Sequence, residues 1–315
     1  MELLNVDLNL LRTLEVLLQE ASVTRAAQRL QVSQPAVSLG LAKLRRHFGD
    51  DLLRRVGNRY ELTPLAVQLK ERTSLAMLGA RRVFEAVPAF DPASERREFT
   101  LLCSDYAAAV LGEALWDLTV ARAPGVVLRF ERHTTTDIDH AAERIRTVDG
   151  ILLPHGFLSN LPYTELYTDD WVCLISTSNT RVGDELTMEL LAELPWAFTY
   201  FAPSAFTPAG RQLQVLGVEP RVQVVVDSFL ALPFVVAGTD RIALVQRRLA
   251  PKLTAAGDVR ALECPFDAVA ITEAFWWHPM YERDPAHIWL RALLTDTSAR
   301  LGRSAALADG HKSDL

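Results

Sequence analysis

The chain has 315 residues, 49% of them hydrophobic and 23% charged, the profile of a globular protein of two or three domains with ample core. No stretch approaches the roughly 18 to 20 apolar residues of a membrane span, and the first residues lack the basic region and cleavage site of a signal peptide, so a cytoplasmic protein with no membrane partner is expected. The net charge of −6 argues against a nucleic-acid partner only until it is divided: residues 1–88 hold 13 Lys/Arg and 9 Asp/Glu, and the remainder 20 and 30, a mildly basic segment on an acidic body.

In chain order, Leu8, Leu11, Leu14, Val16, Leu17 and Leu18 recur at helical spacing behind a capping Asp7. Ser22 caps a short second helix ending at Leu30. Ser33 caps a third, with Pro35 in its first turn where the missing N–H does no harm, running to Phe48 and leaving at Gly49-Asp50-Asp51. Two extended runs then flank Gly57-Asn58, a hairpin signal. Thr63-Pro64 opens a long helix whose Leu65, Leu69, Leu75, Leu78, Val83 and Phe84 form an apolar stripe, and a second copy of the chain is the simplest partner for it. A linker rich in proline follows, Pro88 to Glu95. Beyond it strands and helices alternate: Phe99–Cys103, Tyr106–Arg122, Val126–Phe130, a helix near Ile138–Thr147, then Gly150–Leu153 and Trp171–Ile175. A comparable series runs through Trp196–Phe198, Val222–Val226 and Ile242–Val245. This is the pattern of parallel βαβ units and doubly wound sheets, in two lobes with a cleft between them.

The stretch Ser22 to Ser38 carries most of the information. Ala27 is the small residue that lets two helices cross, and Leu30, Val32, Val37 and Leu41 are spaced to close a core beneath the turn. Ser33, Gln34, Pro35, Ser38 and Leu39 are left on the N-terminal face of the second helix, the end that enters the major groove of duplex DNA. Gln34 can pair bidentately with adenine, Pro35 and Leu39 can touch thymine methyls, and the two serines can bond bases or phosphates. Arg25, Lys43, Arg54 and Arg55 suit backbone phosphates, the last two on a hairpin that reads as a wing. Gln31 stands where the turn often has glycine, and non-glycine residues do enter the left-handed region at modest cost.

With these residues in hand, the chain resembles the LysR-type transcriptional regulators from Asp7 to about Arg300. The similarity is carried by Asp7-Leu8-Asn9-Leu10-Leu11, Val32-Ser33-Gln34-Pro35-Ala36-Val37-Ser38 and Leu62-Thr63-Pro64. The run Phe275-Trp276-Trp277-His278-Pro279-Met280-Tyr281, with Asp284 and Ile288-Trp289-Leu290-Arg291, is similar to the nodulation/naphthalene-degradation regulator branch (NodD/NahR-like). Leu39 stands where the family often has arginine, which removes one base-reading side chain. The resemblance implies an α/β protein: a winged helix-turn-helix (1–62), a dimerising linker helix (63–88) and a two-lobed periplasmic-binding-protein-like effector domain (95–303). Lobe 1 would hold about 95–168 and 270–303, lobe 2 about 169–269, and 304–315 would be a disordered tail. It also implies homodimers or homotetramers on promoter DNA, a small-molecule effector between the lobes, and contact with RNA polymerase, as in an activator.

Ligands of doubly wound sheets sit outside the carboxyl ends of strands, which directs attention to Ser104, Asp105 and Tyr106 after the first strand. Backbone N–H groups there, with the Ser104 hydroxyl, can hold a carboxylate or phenolate, while Asp105 opposes this by capping the helix. Thr134 and Thr135 offer hydroxyls on the opposite rim, one of them as a cap. The loop Tyr200 to Phe206 and the turn Asp227-Ser228-Phe229 match the family's ligand-facing positions, so Phe201, Phe206, Ser228 and Phe229 join the candidates. Trp276 adds to an aromatic wall that favours a flat effector, His155 lies just beyond a strand end, and His278 is expected to make a structural hydrogen bond. No catalytic motif and no metal-ligand spacing is found, and no cofactor is expected. Cys103, Cys173 and Cys264 fall in or beside strands, where cysteine behaves as a small apolar residue. A redox-sensing regulator would need an exposed thiol with a resolving partner, which the sequence does not display. A solute-binding protein shares the sensing fold but has no use for the first 88 residues.

Overall fold

A computed structural model describes residues 9–57, 59–85, 89–199 and 207–310, and in it the chain falls into two units, Met1–Val87 and Pro88–Leu315. The first unit is built from α1 (Asn9–Glu20), α2 (Val23–Leu30), α3 (Gln34–Phe48), the hairpin β1 (Leu53–Val56) and β2 (Arg59–Leu62), and α4 (Pro64–Glu85). Side-chain caps set the helix starts: the oxygens of Ser22, Ser33 and Thr63 accept the N–H groups of Arg25, Ala36 and Ala66. The expected cap Asp7 lies outside the described residues. Gln31 does enter the left-handed region (φ 57°, ψ 40°), and the N–H of Val32 returns to the Ala27 carbonyl at 3.1 Å. That closure leaves the Val32 side chain outside, 48% exposed, so Val32 is not part of the core expected beneath the turn. The core is Leu14, Leu17, Leu18, Ala26, Ala27, Val37, Leu41 and Leu44, with Leu52, Leu53 and Ala66 beneath the hairpin. Where α3 crosses α1, a Cβ on Gly40 would stand 3.1 Å from the Thr13 methyl, so glycine sets how closely these helices approach.

The second unit starts with β3 (Glu98–Cys103), α5 (Asp105–Arg122), β4 (Val127–Arg132), two short helices α6 (Thr135–Asp139) and α7 (Ala141–Arg144), β5 (Gly150–Pro154) and β6 (Tyr163–Asp169). The chain then crosses into β7 (Trp171–Ser176), α8 (Met188–Glu193), β8 (Pro195–Thr199), α9 (Pro208–Val215), β9 (Arg221–Val226), α10 (Leu232–Val236), β10 (Ile242–Gln246), α11 (Ala250–Thr254) and β11 (Val259–Glu263). It returns through β12 (Ile271–Trp276) and closes with α12 (Pro285–Gly310). Two five-stranded sheets result, β4-β3-β5-β12-β6 and β11-β7-β10-β8-β9, each the centre of a lobe.

Neither sheet is wholly parallel. The βαβ strands pair in parallel, β3 with β4 and β5, and β8 with β9 and β10. β12 runs antiparallel to β5 and β6, and β7 antiparallel to β10 and β11. The doubly wound pattern therefore holds for three strands of each sheet, and the strands beside the two crossings are antiparallel. The close approach of β5 to β12 needs Gly150, where a Cβ would come within 2.0 Å of the Phe275 ring. Ser304 to Gly310, read from sequence as an unstructured tail, continues α12 as helix, consistent with the helix-forming Ala305-Ala306-Leu307-Ala308 run. Residues 311–315 lie outside the described residues.

Candidate DNA-contact surface and effector cleft

In the first unit, Gln34, Pro35, Ser38 and Leu39 stand together on the exposed face at the start of α3, with Leu39 62% exposed. An apolar side chain that open on a polar face, one turn from a glutamine, is suited to a groove lined with thymine methyls. The Ser33 hydroxyl is engaged as the α3 cap and retains its proton for a further acceptor. Lys43, one turn beyond Leu39, is also exposed. Arg25 is partly committed: its guanidinium bonds the Glu20 carboxylate at 3.3 Å and the Glu20 carbonyl, and Arg29 joins the same carboxylate at 2.9 Å. Both arginines hold the Glu20 carboxyl below its usual range.

The hairpin carries Arg54 opposite Glu61 and Arg55 opposite Tyr60, all exposed. Its base is anchored by a residue that sequence reasoning passed over. Asp50 accepts both the Leu52 N–H and the Thr63 hydroxyl at 2.6 Å. Leu52 thereby sits in the left-handed region (φ 57°) with its side chain 1% exposed, so burial offsets a backbone cost of order 1–3 kcal/mol. Arg45, also unforeseen, ties α3 to this corner through the carbonyls of Asp51 and Leu53.

In the second unit a narrow cavity of about 50 Å³ lies between the two sheets. From lobe 1 come Ser104, Tyr106, His133, Ile138 and Leu153, from lobe 2 Trp171, Thr207, Phe229 and Gln246, and from the returning strand Ile271 and Glu273. The carboxyl ends of β3, β5, β9 and β10 meet there, the position expected for a ligand of open α/β sheets. Ser104 caps α5, its oxygen accepting the Ala107 N–H at 3.0 Å, and the Tyr106 hydroxyl donates to Asp169 at 2.7 Å. His133 is held neutral by burial, which lowers its pKa.

Asp105 is not the cap. Its carboxylate reaches across the cleft to accept the Ser228 hydroxyl at 2.6 Å and the N–H groups of Phe229 and Leu230 at 3.2 and 3.0 Å. Arg132 makes a second bridge, to Asp227 at 2.8 Å. The turn read from sequence as ligand-facing is thus bound to lobe 1, with the Phe229 ring left against Tyr106 and Trp171.

Several candidates lie elsewhere. Thr134 forms a capping box with Asp137 at the start of α6, and neither it nor Thr135 lines the cavity. His155 sits on a separate surface hollow, 3.1 Å from Glu165, between Tyr163 and Trp276. Trp276 is 2% exposed and packs with Leu102, Ile145 and Ile151 on the other face of its sheet, its indole N–H on the Leu153 carbonyl. His278 caps the turn after β12 by accepting the Met280 N–H. Phe201 and Phe206 lie outside the described residues. The sulfurs of Cys173 and Cys264 lie 3.8 Å apart, so a neighbouring thiol exists in space although sequence showed none, but Cys173 is fully buried and its pKa is raised well above the ordinary value by its hydrogen bond to Cys264 and by burial. Among the described residues no cluster of metal-ligating side chains occurs, and no helix is long and apolar enough to cross a membrane.

Residues 8–67 match the bacterial regulatory helix-turn-helix of the lysR family, and residues 92–299 match the LysR substrate-binding domain. The chain belongs to the LysR family of bacterial transcriptional regulators. Curated relatives of this LysR-type chain include nodulation protein D 1 of Mesorhizobium japonicum, 32% identical with 94% of each chain covered. Nodulation protein D 2 of Rhizobium tropici is 30% identical with 92% of each covered. Among solved structures, a transcriptional regulator from Pseudomonas aeruginosa superposes with a TM-score of 0.69 at 26% identity, over 92% of this chain and 97% of that one. Full-length CbnR in complex with its target DNA shares the fold, with a TM-score of 0.66 at 16% identity over 94% and 100%. The protein is a LysR-type transcriptional regulator with a winged helix-turn-helix and a two-lobed effector-binding domain.

Proposed function

We propose that this LysR-type regulator reads promoter DNA with the first turn of α3 and the hairpin, and answers to a small flat effector held in the cavity between its lobes. Gln34, Pro35, Ser38 and Leu39 act on base edges, and Ser33, Arg25, Lys43, Arg54 and Arg55 position the helix on the duplex. The observation that supports this best is the joint exposure of Gln34, Pro35, Ser38 and Leu39 on one helix end, above a core complete without them.

Two copies pair through α4, whose Val67 and Val83 are 58% and 72% exposed, and pairs assemble into tetramers on the promoter. The protein acts in the cytoplasm by binding rather than by catalysis, and contacts RNA polymerase when it activates. The effector works as a population shift: it must prefer one arrangement of the lobes, and the Asp105 and Arg132 bridges are what it must strengthen or break. A ligand confined to the folded state raises its stability by mass action, by about 2.7 kcal/mol at a hundredfold excess over Kd. Thermal unfolding of the full-length protein against small aromatic acids and phenols should therefore reveal a compound whose shift is lost in Gln246→Leu. A shift that survives Gln246→Leu and an Ile138→Trp filling of the cavity would place the ligand elsewhere.

A further inference from the structure

Glu273 is the least expected member of the cavity wall. It is 1% exposed, in the middle of β12, beside the register shift between Glu273 and Ala274 in the pairing with β6. Among the described residues, neither carboxyl oxygen has a hydrogen-bond partner, and nor does Oε1 of Gln246 on the opposing lobe. A buried carboxyl with no partner is costly to a folded protein, and nothing in the packing of β12 repays it. An unsatisfied buried polar group in a native fold calls for a specific explanation, and here two of them face one cavity from opposite lobes.

The surroundings define what that ligand can be. Glu273 is faced by Asp169 and Tyr167 on β6, Tyr106 on α5 and Cys103 on β3, and His133 on the cavity wall is neutral. The guanidinium of Arg248 lies over the Tyr167 ring at 5.6 Å. None of the described lining residues is lysine or arginine. An anion buried here would be desolvated against a described wall that offers no lysine or arginine, whereas a neutral or cationic group with an O–H or N–H would satisfy open acceptors on both lobes. Burial, followed by the charge of Asp169, pushes the Glu273 carboxyl up to about 8, so it is mostly protonated at neutral pH, and a donor ligand would meet an acid able to accept through its carbonyl oxygen.

We propose that Glu273 is the polar anchor of the cavity, accepting a hydrogen bond from an uncharged or cationic donor group on a flat apolar ligand, and that the cavity disfavours carboxylates because its described wall supplies no basic side chain. This rests on the reading of the cavity as the effector site, and it narrows the effector from aromatic or carboxylate compounds to donors without negative charge. With Gln246 offering its own acceptor across the cleft, a ligand donating at both ends would join the lobes.

The test uses full-length protein and three probes on one skeleton, 2-naphthol, 2-methoxynaphthalene and 2-naphthoate, titrated at neutral pH by calorimetry. Wild type should bind the naphthol at least tenfold more tightly than either of the others, because a site with an open acceptor rejects analogues that lack the donor. Glu273→Gln, which keeps a carbonyl, should retain the preference. Glu273→Leu should abolish the preference over 2-methoxynaphthalene, and its ligand-free form should melt higher than wild type because an unpartnered buried carboxyl is gone. Equal or tighter binding of the naphthoate by wild type, or a preference for the naphthol over its methyl ether that survives Glu273→Leu, would overturn the proposal while leaving the cavity as a ligand site. If wild type binds none of the three, the cavity reading falls and the anchor falls with it. Should Glu273→Leu fail to fold, the wild-type series and Glu273→Gln still decide the matter.

Discussion

Removing the Asp105 carboxylate should open the effector domain without unfolding it. Asp105 receives one hydroxyl and two backbone N–H groups from the Ser228–Leu230 turn, and hydrogen bonds to a charged group contribute about 1.5–3 kcal/mol each when their partners are otherwise unsatisfied. Opening the cleft lets water take over all three, so the net loss in Asp105→Ala is nearer one such bond, about 2 kcal/mol, than the sum. That corresponds to roughly a thirtyfold shift toward the open form, since about 1.4 kcal/mol is a factor of ten. Arg132→Ala should matter less, under about 1 kcal/mol, because both side chains of the Arg132–Asp227 pair are largely exposed (46% and 73%) and water screens them. Each lobe keeps its own sheet and core, so the melting temperature should fall little in either variant. Distances between paired spin labels on α6 and α10, measured with and without ligand, read the opening directly. An unchanged distance distribution in Asp105→Ala would refute the idea that this carboxylate holds the lobes together.

Other consequences follow from single residues. Glu273 has a folded pKa raised to about 8 from 4.5, so its contribution to stability is fully present below the unfolded value and is lost as pH rises toward 8. Glu273→Gln should flatten that part of the stability profile, while buried His287, lowered to about 4, acts in the other window, losing stability as pH falls from about 6.5. Denaturant melts at pH 5 and pH 8 in both proteins test the sign: on going from pH 5 to pH 8 wild type should lose more stability, or gain less, than the variant, and the reverse ordering would contradict it. Gln34→Ala should weaken operator binding by about 1–3 kcal/mol, the value of a good base contact, with little change on random DNA, and equal losses in a competition gel-shift assay would deny it a base-reading role. Thr63→Ala removes the α4 cap and the Asp50 bond together, costing about 1–2 kcal/mol. If urea melts show no change, the hairpin anchor is not as described.

Much of the first unit was legible because its signals are local. Ser22, Ser33 and Thr63 announce their helices within three residues, and the Gln31 turn could be anticipated despite lacking glycine. Val32 was misjudged because hydrophobicity alone does not say which way a left-handed turn sends the next side chain. The cleft was harder, since its wall is assembled from strand ends far apart in the chain. Ser104 and Tyr106, expected from the rule that ligands gather at carboxyl ends of strands, and Phe229, expected from the family resemblance, do line the cavity, and the same rule reaches Gln246 once β10 is placed. Trp276 failed on parity: Phe275 joins one core cluster and Trp276 the other, and a strand's sequence does not reveal which face meets the cleft. Glu273 was missed because a charged residue within Ile271-Thr272-Glu273-Ala274 reads as the solvent side of an edge strand, whereas β12 lies inside its sheet, paired on both sides. Asp105 was taken for a cap because its partners, more than 120 positions on, leave no trace in local sequence.

The most direct test of the regulator's central role is the affinity of the full-length protein for a fragment of its own promoter against a scrambled fragment, at one physiological salt concentration. A ratio of about a thousand or more is expected for a protein that reads bases, falling toward the non-specific level when the exposed face of α3 is altered. Equal affinity for both fragments, with the usual steep salt dependence of phosphate contacts, would show that the α3 face reads charge and shape alone, and would contradict the account.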